Sequence, residues 1–384
     1  MADKTRRRLY NLLLNFFNGQ IKEDFFTDNP YKKFYRKIYF EIFRHFGFIQ
    51  YILTKYLKKD TPIESMAALT LGAAQILFLN DIPDYAAVNE SVELTPKKQK
   101  PLVNAVLRNI VKNKINLLKE YHIYYDFPHY FFDRWQKRFK NKNEFELFLQ
   151  SLHKIPKYYL VSTSNLSIYE YKNGYDDSIY YPMDINSFKI PLLKKLQNVQ
   201  NILDCCAAPG GKTILLSKRY PNAKIIAIEK NPDRLKVLSQ NLRKYNCNNV
   251  KVIKSDFFHF NDNTLYDFIL LDAPCTALGT IRKHPEVLWL KNDRDINKMS
   301  NYQKRFLEKG VSLLKKGGYL IYSVCSLEPE EGFENIHWLL NKYDNIKLIS
   351  PEIDKSLVQD NCFYTLPHKS EGDGFFAAIL HKKD

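Results

Sequence analysis

The most reactive side chains stand in two short runs, Asp272-Ala273-Pro274-Cys275 and Ser323-Val324-Cys325-Ser326. Each closes an apolar stretch, Phe268 to Leu271 and Tyr319 to Ser323, with the length and composition of a buried strand. Strands that are neighbours lie about 4.8 Å apart, so thiols at the ends of two such strands can face one substrate. A single cysteine is most often a small buried hydrophobe. A pair at two strand ends, beside an aspartate, argues for chemistry. One reaction needs a thiolate next to a methyl donor. Carbon 5 of cytosine is too weak a nucleophile to take a methyl group directly. Addition of a thiolate at C6 turns C5 into an enamine carbon, and a base must afterwards remove the C5 proton to release the enzyme.

A site for the donor is legible upstream. Asp204 to Thr213 reads DCCAAPGGKT, after the apolar run Val199 to Leu203 and before Ile214, Leu215 and Leu216. That is a strand, a tight glycine turn and a helix. Gly210 and Gly211 let the backbone approach a ligand, and the helix start offers unpaired N–H groups. A P-loop requires glycine five positions before Gly211, where Cys206 stands, and a dinucleotide fingerprint requires spaced glycines, whereas these are adjacent. The next strand, Lys224 to Ile228, ends in Glu229, an acid placed to take the two hydroxyls of a ribose. An adenosine without phosphates fits, and S-adenosylmethionine is such a ligand.

These residues need a scaffold, and the spacing predicts one. Strands are expected at Ile202, Ile225 to Ile228, Val250 to Ile253, Phe268 to Leu271 and Tyr319 to Ser323, with amphipathic segments between: a doubly wound, Rossmann-like α/β sheet over residues 199–384. Its strand ends carry Asp204, Glu229, Asp256, Asp272 and Cys325, which should converge on the crevice outside the carboxyl ends of the strands. An aspartate at one strand end can equally be a helix N-cap. From Thr5 to about Leu118 only helical periodicity appears: Leu9, Leu12, Leu13 and Phe16 form one stripe, Tyr35 to Phe46 a second that stops at Gly47, and Ser65 to Leu79 is apolar all round. Residues 1–120 thus read as a helical domain. Residues 121–198 read as a small α+β module in which FPHYFFDRWQKRF, from Phe127, interleaves aromatic rings with cations. Such rings either stack on single-stranded bases or form a core; composition leaves Trp135 open and favours core for Phe131 and Phe145.

The net charge of +16 and a pI near 9.3 suit a polyanionic partner. Residues 1–120 hold 20 Lys and Arg against 12 Asp and Glu, half of that excess. Lys97, Lys98, Lys100 and Arg108 are placed to meet an RNA backbone or to solvate a helix face. The six cysteines form neither a disulfide framework nor paired zinc spacing, so a reducing cytoplasm is expected and no metal. No apolar run reaches membrane-spanning length.

With DCCAAPGGKT from Asp204, LLDAPCTALGTIRKHPEVLW from Leu270, YSVCSLEPEE from Tyr322 and EGDGFF from Glu371, the chain resembles the RNA cytosine-C5 methyltransferases, and within them the bacterial 16S ribosomal RNA methyltransferase B (Sun-like) group. Ala86 to Glu90 and Asn104 to Asn109 resemble the NusB-like RNA-binding domain of that group. The resemblance implies Cys325 as nucleophile, Cys275 as the residue that assists breakdown of the adduct, and Asp272 beside the cytosine. It also implies S-adenosylmethionine contacts from Cys206, Ala207, Ala208, Pro209, Gly210, Gly211, Lys212, Glu229, Asp256 and Asp272. The implied product is 5-methylcytosine in the P-site hairpin loop of 16S RNA, made by a monomer on free RNA or an early small-subunit particle. Two other readings compete: an RNA-bound assembly or antitermination factor without activity, which the intact Cys275, Cys325 and Asp272 oppose, and an oxidoreductase on a similar sheet, which the glycine spacing opposes. A methyltransferase of the same chemistry acting on tRNA is the nearest alternative.

Overall fold

The apolar stripes of the amino-terminal third become helices in a computed structural model that describes residues 3–20, 32–58, 60–171 and 174–384. The chain divides into two compact units, Met1–Phe145 and Glu146–Asp384; the division falls inside the segment read above as a middle module.

In the first unit the helices are α1 (Lys4–Phe17), α2 (Lys32–Arg44), α3 (Phe46–Thr54), α4 (Ile63–Phe78), α5 (Asp84–Leu94), α6 (Lys100–Lys119) and α7 (His129–Gln136), and α8 (Lys142–His153) runs across the division. Helix α4 is buried on every side, as its small apolar composition predicts, and packs against α1, α5 and α6. Its buried Gln75 is paired, accepting at Oε1 from Arg6 Nε at 2.7 Å, and Thr70 and Ser65 are bonded to Gln50 and Gln99. One boundary differs from expectation. The stripe from Tyr35 was expected to stop at Gly47, but α2 ends at Arg44 and Gly47 lies inside α3. The chain bends at His45, whose ring stacks on Phe78 and whose Nδ1 bonds the buried Asp126 at 2.9 Å. Tertiary contacts thereby override the glycine signal. Phe131, Trp135 and Phe145 are all core, so packing claims the tryptophan that composition left open.

The second unit opens with an antiparallel sheet of β1 (Tyr159–Ser162), β2 (Ile168–Glu170) and β3 (Tyr180–Pro182), in the order β2-β1-β3, followed by α9 (Ile185–Lys189). Then come β4 (Asn201–Asp204), α10 (Gly211–Arg219), β5 (Lys224–Glu229), α11 (Pro232–Lys244), β6 (Val250–Lys254), β7 (Tyr266–Asp272), α12 (Val287–Leu290), α13 (Asp293–Leu313), β8 (Leu314–Val324), α14 (Phe333–Lys342), β9 (Ile346–Ile349), β10 (Val358–Gln359), β11 (Cys362–Thr365) and β12 (Phe375–Lys382). Their nine-stranded sheet runs β10-β11-β12-β8-β7-β4-β5-β6, with β9 also on β12. Strands β8, β7, β4, β5 and β6 are parallel, as a doubly wound sheet requires. One face is covered by Phe306, Leu307, Ile336 and Leu339 of α13 and α14, the other by Ile190, Leu193 and Leu216. The order reverses between β4 and β7, which makes their carboxyl ends the expected ligand crevice. The antiparallel extension β9 to β12 was not anticipated. Its central strand FFAAILHK is fully buried for six residues, and such an apolar run carries no alternation to mark it.

Candidate active site

The turn between β4 and α10 is shaped by close contacts. Gly210 has φ +112°, a conformation that L side chains rarely adopt, and its Cβ would stand 3.0 Å from Leu238. A Cβ on Gly211 would lie 2.7 Å from the ring of Tyr181, which the small antiparallel sheet lays over the turn. The loop carbonyls are held from α11: Arg234 Nη2 donates to Ala208 O at 2.7 Å and Asn241 Nδ2 to Pro209 O at 2.8 Å.

Two adjoining clefts share Cys206. One, of about 470 Å³, is lined by Asp204, Cys206 to Pro209, Gly211, Lys212 and Asp272 under Tyr181 and Met183. The other, of about 380 Å³, has Glu229, Lys230, Arg234 and Asp256 at its polar end and an apolar slot of Ile228, Phe257, Pro274, Tyr302 and Phe306. An amphiphilic ligand with a flat base fits that division. Glu229 spends Oε1 on the Asn231 N–H at 2.8 Å and keeps Oε2 towards Arg234 at 3.8 Å. Asp256 lies two residues past the end of β6 and caps a single 3-10 turn through the Phe258 N–H at 2.9 Å, so the capping role and a place in the cleft coexist. Asp204 is buried; Thr213 Oγ1 donates to its Oδ2 at 2.7 Å, the Cys206 amide pulls weakly on the group, and Oδ1 has no hydrogen-bond partner. Burial first, then the charge of Asp272, pushes its carboxyl up to about 7. An orphaned, buried carboxylate oxygen facing a cleft calls for a cationic or hydrogen-bonding ligand group. S-adenosylmethionine, with its ammonium and sulfonium charges, satisfies that demand.

Beyond Asp272 stand the two thiols. Strands β7 and β8 are neighbours in register, Asp272 opposite Ser323, and the next loops bring Cys275 Sγ to 3.3 Å from Cys325 Sγ. Lys212 Nζ pairs with Asp272 Oδ2 at 2.7 Å while Ser323 Oγ donates to Oδ1 at 2.6 Å. Burial opposes the Lys212 charge, but the ion pair with Asp272 outweighs it and holds the ammonium above its ordinary range. The Cys325 loop is pinned by a backbone contact: Gly279 N–H donates to Cys325 O at 2.9 Å, and a Cβ at Gly279 would collide with Gly374 O at 2.0 Å. Burial first, then neighbouring acidic groups, push the Cys205 and Cys206 thiols up. All the sequence-derived candidates therefore gather at the carboxyl ends of β4, β5, β6, β7 and β8. Cys275 and Cys325 line neither cleft and lie next to the one that contains Asp272.

Residues 191–381 match the family described as 16S rRNA methyltransferase RsmB/F, and residues 3–112 match the NusB family. The chain is 30% identical to ribosomal RNA small subunit methyltransferase B of Yersinia pseudotuberculosis, over 82% of this chain and 81% of the relative. It belongs to the RsmB/F family. Members are S-adenosylmethionine-dependent RNA (cytosine-C5) methyltransferases. Photorhabdus laumondii ribosomal RNA small subunit methyltransferase B is 29% identical, over 82% of this chain and 81% of the relative. In three dimensions the chain is similar to PH0851, with a TM-score of 0.76 at 21% identity and full coverage of both chains, and to a methyltransferase homologue of Pyrococcus horikoshii, with a TM-score of 0.56 at 25% identity over 70% of this chain and 98% of that one.

Several residues of this RsmB/F-family site escaped the sequence reading. Arg234, Asn241 and Tyr181 support the turn from elements whose letters carry no motif. Tyr302 and Phe306 reach the apolar slot from α13, where they look like an ordinary core stripe. Glu331 lies within the YSVCSLEPEE stretch, where the letters do not separate it from its neighbour Glu330.

Proposed function

We propose that this enzyme, acting in the cytoplasm, transfers a methyl group from S-adenosylmethionine to C5 of a cytosine in the P-site hairpin loop of 16S ribosomal RNA, through a covalent bond between Cys325 and C6. The observation that carries the reading is the 3.3 Å approach of Cys275 and Cys325 beside Asp272, at the switch point of the sheet. The names of the bacterial relatives supply the substrate, and residues 1–120 are assigned to RNA binding.

The loop from Cys206 to Lys212, with Glu229, Asp256 and Asp272, would hold the donor, Glu229 taking the ribose hydroxyls and Asp204 the cationic amino-acid part. S-adenosylmethionine, when bound, supplies an electrophilic methyl group at C5. The remaining work falls to the protein. The Cys325 thiolate forms the C6–S bond, and the C5=C6 pair becomes the nucleophile at C5. Cys275 keeps its proton meanwhile: the hydrogen bond to Cys325, then burial, then the charges of Cys325 and Glu331 all push its thiol up. Once Cys325 is a neutral thioether, that bond and that charge are gone. Burial and the Glu331 charge remain, so Cys275 gives up its proton to water less readily than an ordinary thiol and, once a thiolate, is a strong base that takes the hydrogen from C5. The C5–H pair re-forms the double bond and the C6–S pair returns to Cys325. Asp272, fixed by Lys212 and Ser323, orients the ring.

Denaturing gels of the full-length protein with 16S RNA and S-adenosylmethionine test the assignment. Cys325→Ala is expected to be inactive and to leave no crosslink, and Cys275→Ala to accumulate a denaturation-resistant RNA–protein complex. Trapping by Cys325→Ala with none by Cys275→Ala would reverse the two roles.

A further inference from the structure

We infer that Glu331 is a positioning residue for the thiol pair: one buried carboxylate straps together the loops that carry Cys275 and Cys325 and tunes Cys275 as a base. The inference rests on the proposed roles of the two thiols. Glu331 is 0% exposed. Its Oε2 accepts the Thr276 N–H at 2.9 Å and Gln303 Nε2 at 2.8 Å; its Oε1 accepts Ser326 Oγ at 2.5 Å and also the Thr276 hydroxyl. Thr276 follows Cys275 and Ser326 follows Cys325, so each strap is fastened one residue from a thiol. Both partners of Oε2 are N–H donors and both partners of Oε1 are hydroxyls; burial pushes the Glu331 carboxyl up, and these hydrogen bonds oppose that by favouring its ionised form.

The support continues inward. Gln303 donates also to Pro274 O at 2.9 Å, the residue before Cys275, and its own oxygen accepts Asn335 Nδ2 at 3.0 Å. Ser300 Oγ donates to Asn335 Oδ1 at 2.9 Å, and the Tyr322 hydroxyl donates to Glu331 O at 2.6 Å. A network this fully satisfied fixes one geometry, because moving any member leaves a buried polar group unpaired. It draws on β8, α13, α14 and both loops. None of its members lines either cofactor cleft except Pro274.

The second consequence is electrostatic. The groups facing Cys275 are Cys325, Glu331 and the Tyr322 hydroxyl, with the Asp272–Lys212 pair at the base of its loop. When Cys325 is in thioether form, the charge of Glu331 remains, and it keeps the Cys275 thiolate a stronger base for the C5 hydrogen.

Residue-resolved alkylation of Cys275 across pH, read by peptide mass spectrometry in the Cys325→Ser background, tests this directly. Adding Glu331→Gln is expected to move the pH of half-maximal alkylation down by about one unit, the size of shift a neighbouring charge produces. With Cys325 present, Glu331→Gln should lose on the order of tenfold in turnover, keep its KM for RNA and its donor affinity, and accumulate the covalent complex. Thr276→Val removes one strap and keeps the charge; it should accumulate the complex with the alkylation midpoint unmoved. An unshifted midpoint in Glu331→Gln overturns the electrostatic role. Should Glu331→Gln not fold, Thr276→Val with wild-type turnover and no trapped complex overturns the positioning role. The alkylation midpoint does not depend on which thiol attacks RNA, so a failure of the cysteine assignment shows separately, in the Cys275→Ala and Cys325→Ala gels.

Discussion

Asp204 is the buried acid of the cleft proposed for the methyl donor. Its carboxyl sits at about 7 because burial, with Asp272 adding to it, disfavours the charge. The sign follows: a carboxyl raised above its unfolded value favours the protonated folded state, so its contribution to stability is present at low pH and lost as pH rises through about 7. A cationic ligand reverses this locally by favouring the ionised form. S-adenosylmethionine should therefore bind more tightly as pH rises from 5.5 or so towards 7, with proton release, and Asp204→Asn should abolish that dependence. Calorimetry in buffers of different ionisation enthalpy reads the released proton, and a proton-independent enthalpy would refute the role. The reactive residues were legible because their letters recur at strand ends: Asp204, Glu229, Asp272 and Cys325 all stand where alternation of strand and helix puts them. Glu331 was not, since burial decides whether Glu330-Glu331 is a solvated pair or a buried anchor, and burial is a property of the whole fold.

At the scale of elements, the two glycines of the β4–α10 turn shape the cleft proposed for the donor. Gly210→Ala places a side chain at φ +112° and against Leu238, at a cost of about 1–3 kcal/mol shared between folding and loop geometry. A loss of donor affinity on the order of tenfold, with a lower Tm, is expected from titration and thermal melts. Wild-type affinity in this variant would mean that the turn does not shape the cleft. The parallel strands and the buried α4 were readable because periodicity and length agreed. The break between α2 and α3 was not, because His45 and its contacts to Asp126 and Phe78 set it, and Gly47 continues the helix beyond. Strand β12 escaped for a related reason: a run buried on both faces has no polar alternation, and its pairing with β8, β9 and β11 is fixed only by the folded sheet.

For the molecule as a whole, the proposed function gives the basic excess and the thiol pair one polyanionic substrate, RNA. Charge alone gave no substrate: Lys100 is paired with Glu93 and Arg108 bonds Asn104, while Lys97 and Lys98 are exposed, which is how either a phosphate-binding face or a solvated helix end looks. Family membership, with the thiol pair, is what points to RNA. Among the described residues no helix is long and apolar enough to cross a membrane. Bisulfite sequencing of 16S ribosomal RNA, exposed in parallel to the wild-type protein and to Cys325→Ala with S-adenosylmethionine, tests the account most directly. One cytosine in the P-site hairpin loop that resists conversion only after the wild-type reaction is the expected result; full conversion of 16S RNA in both reactions, or protection confined to transfer RNA, would contradict it.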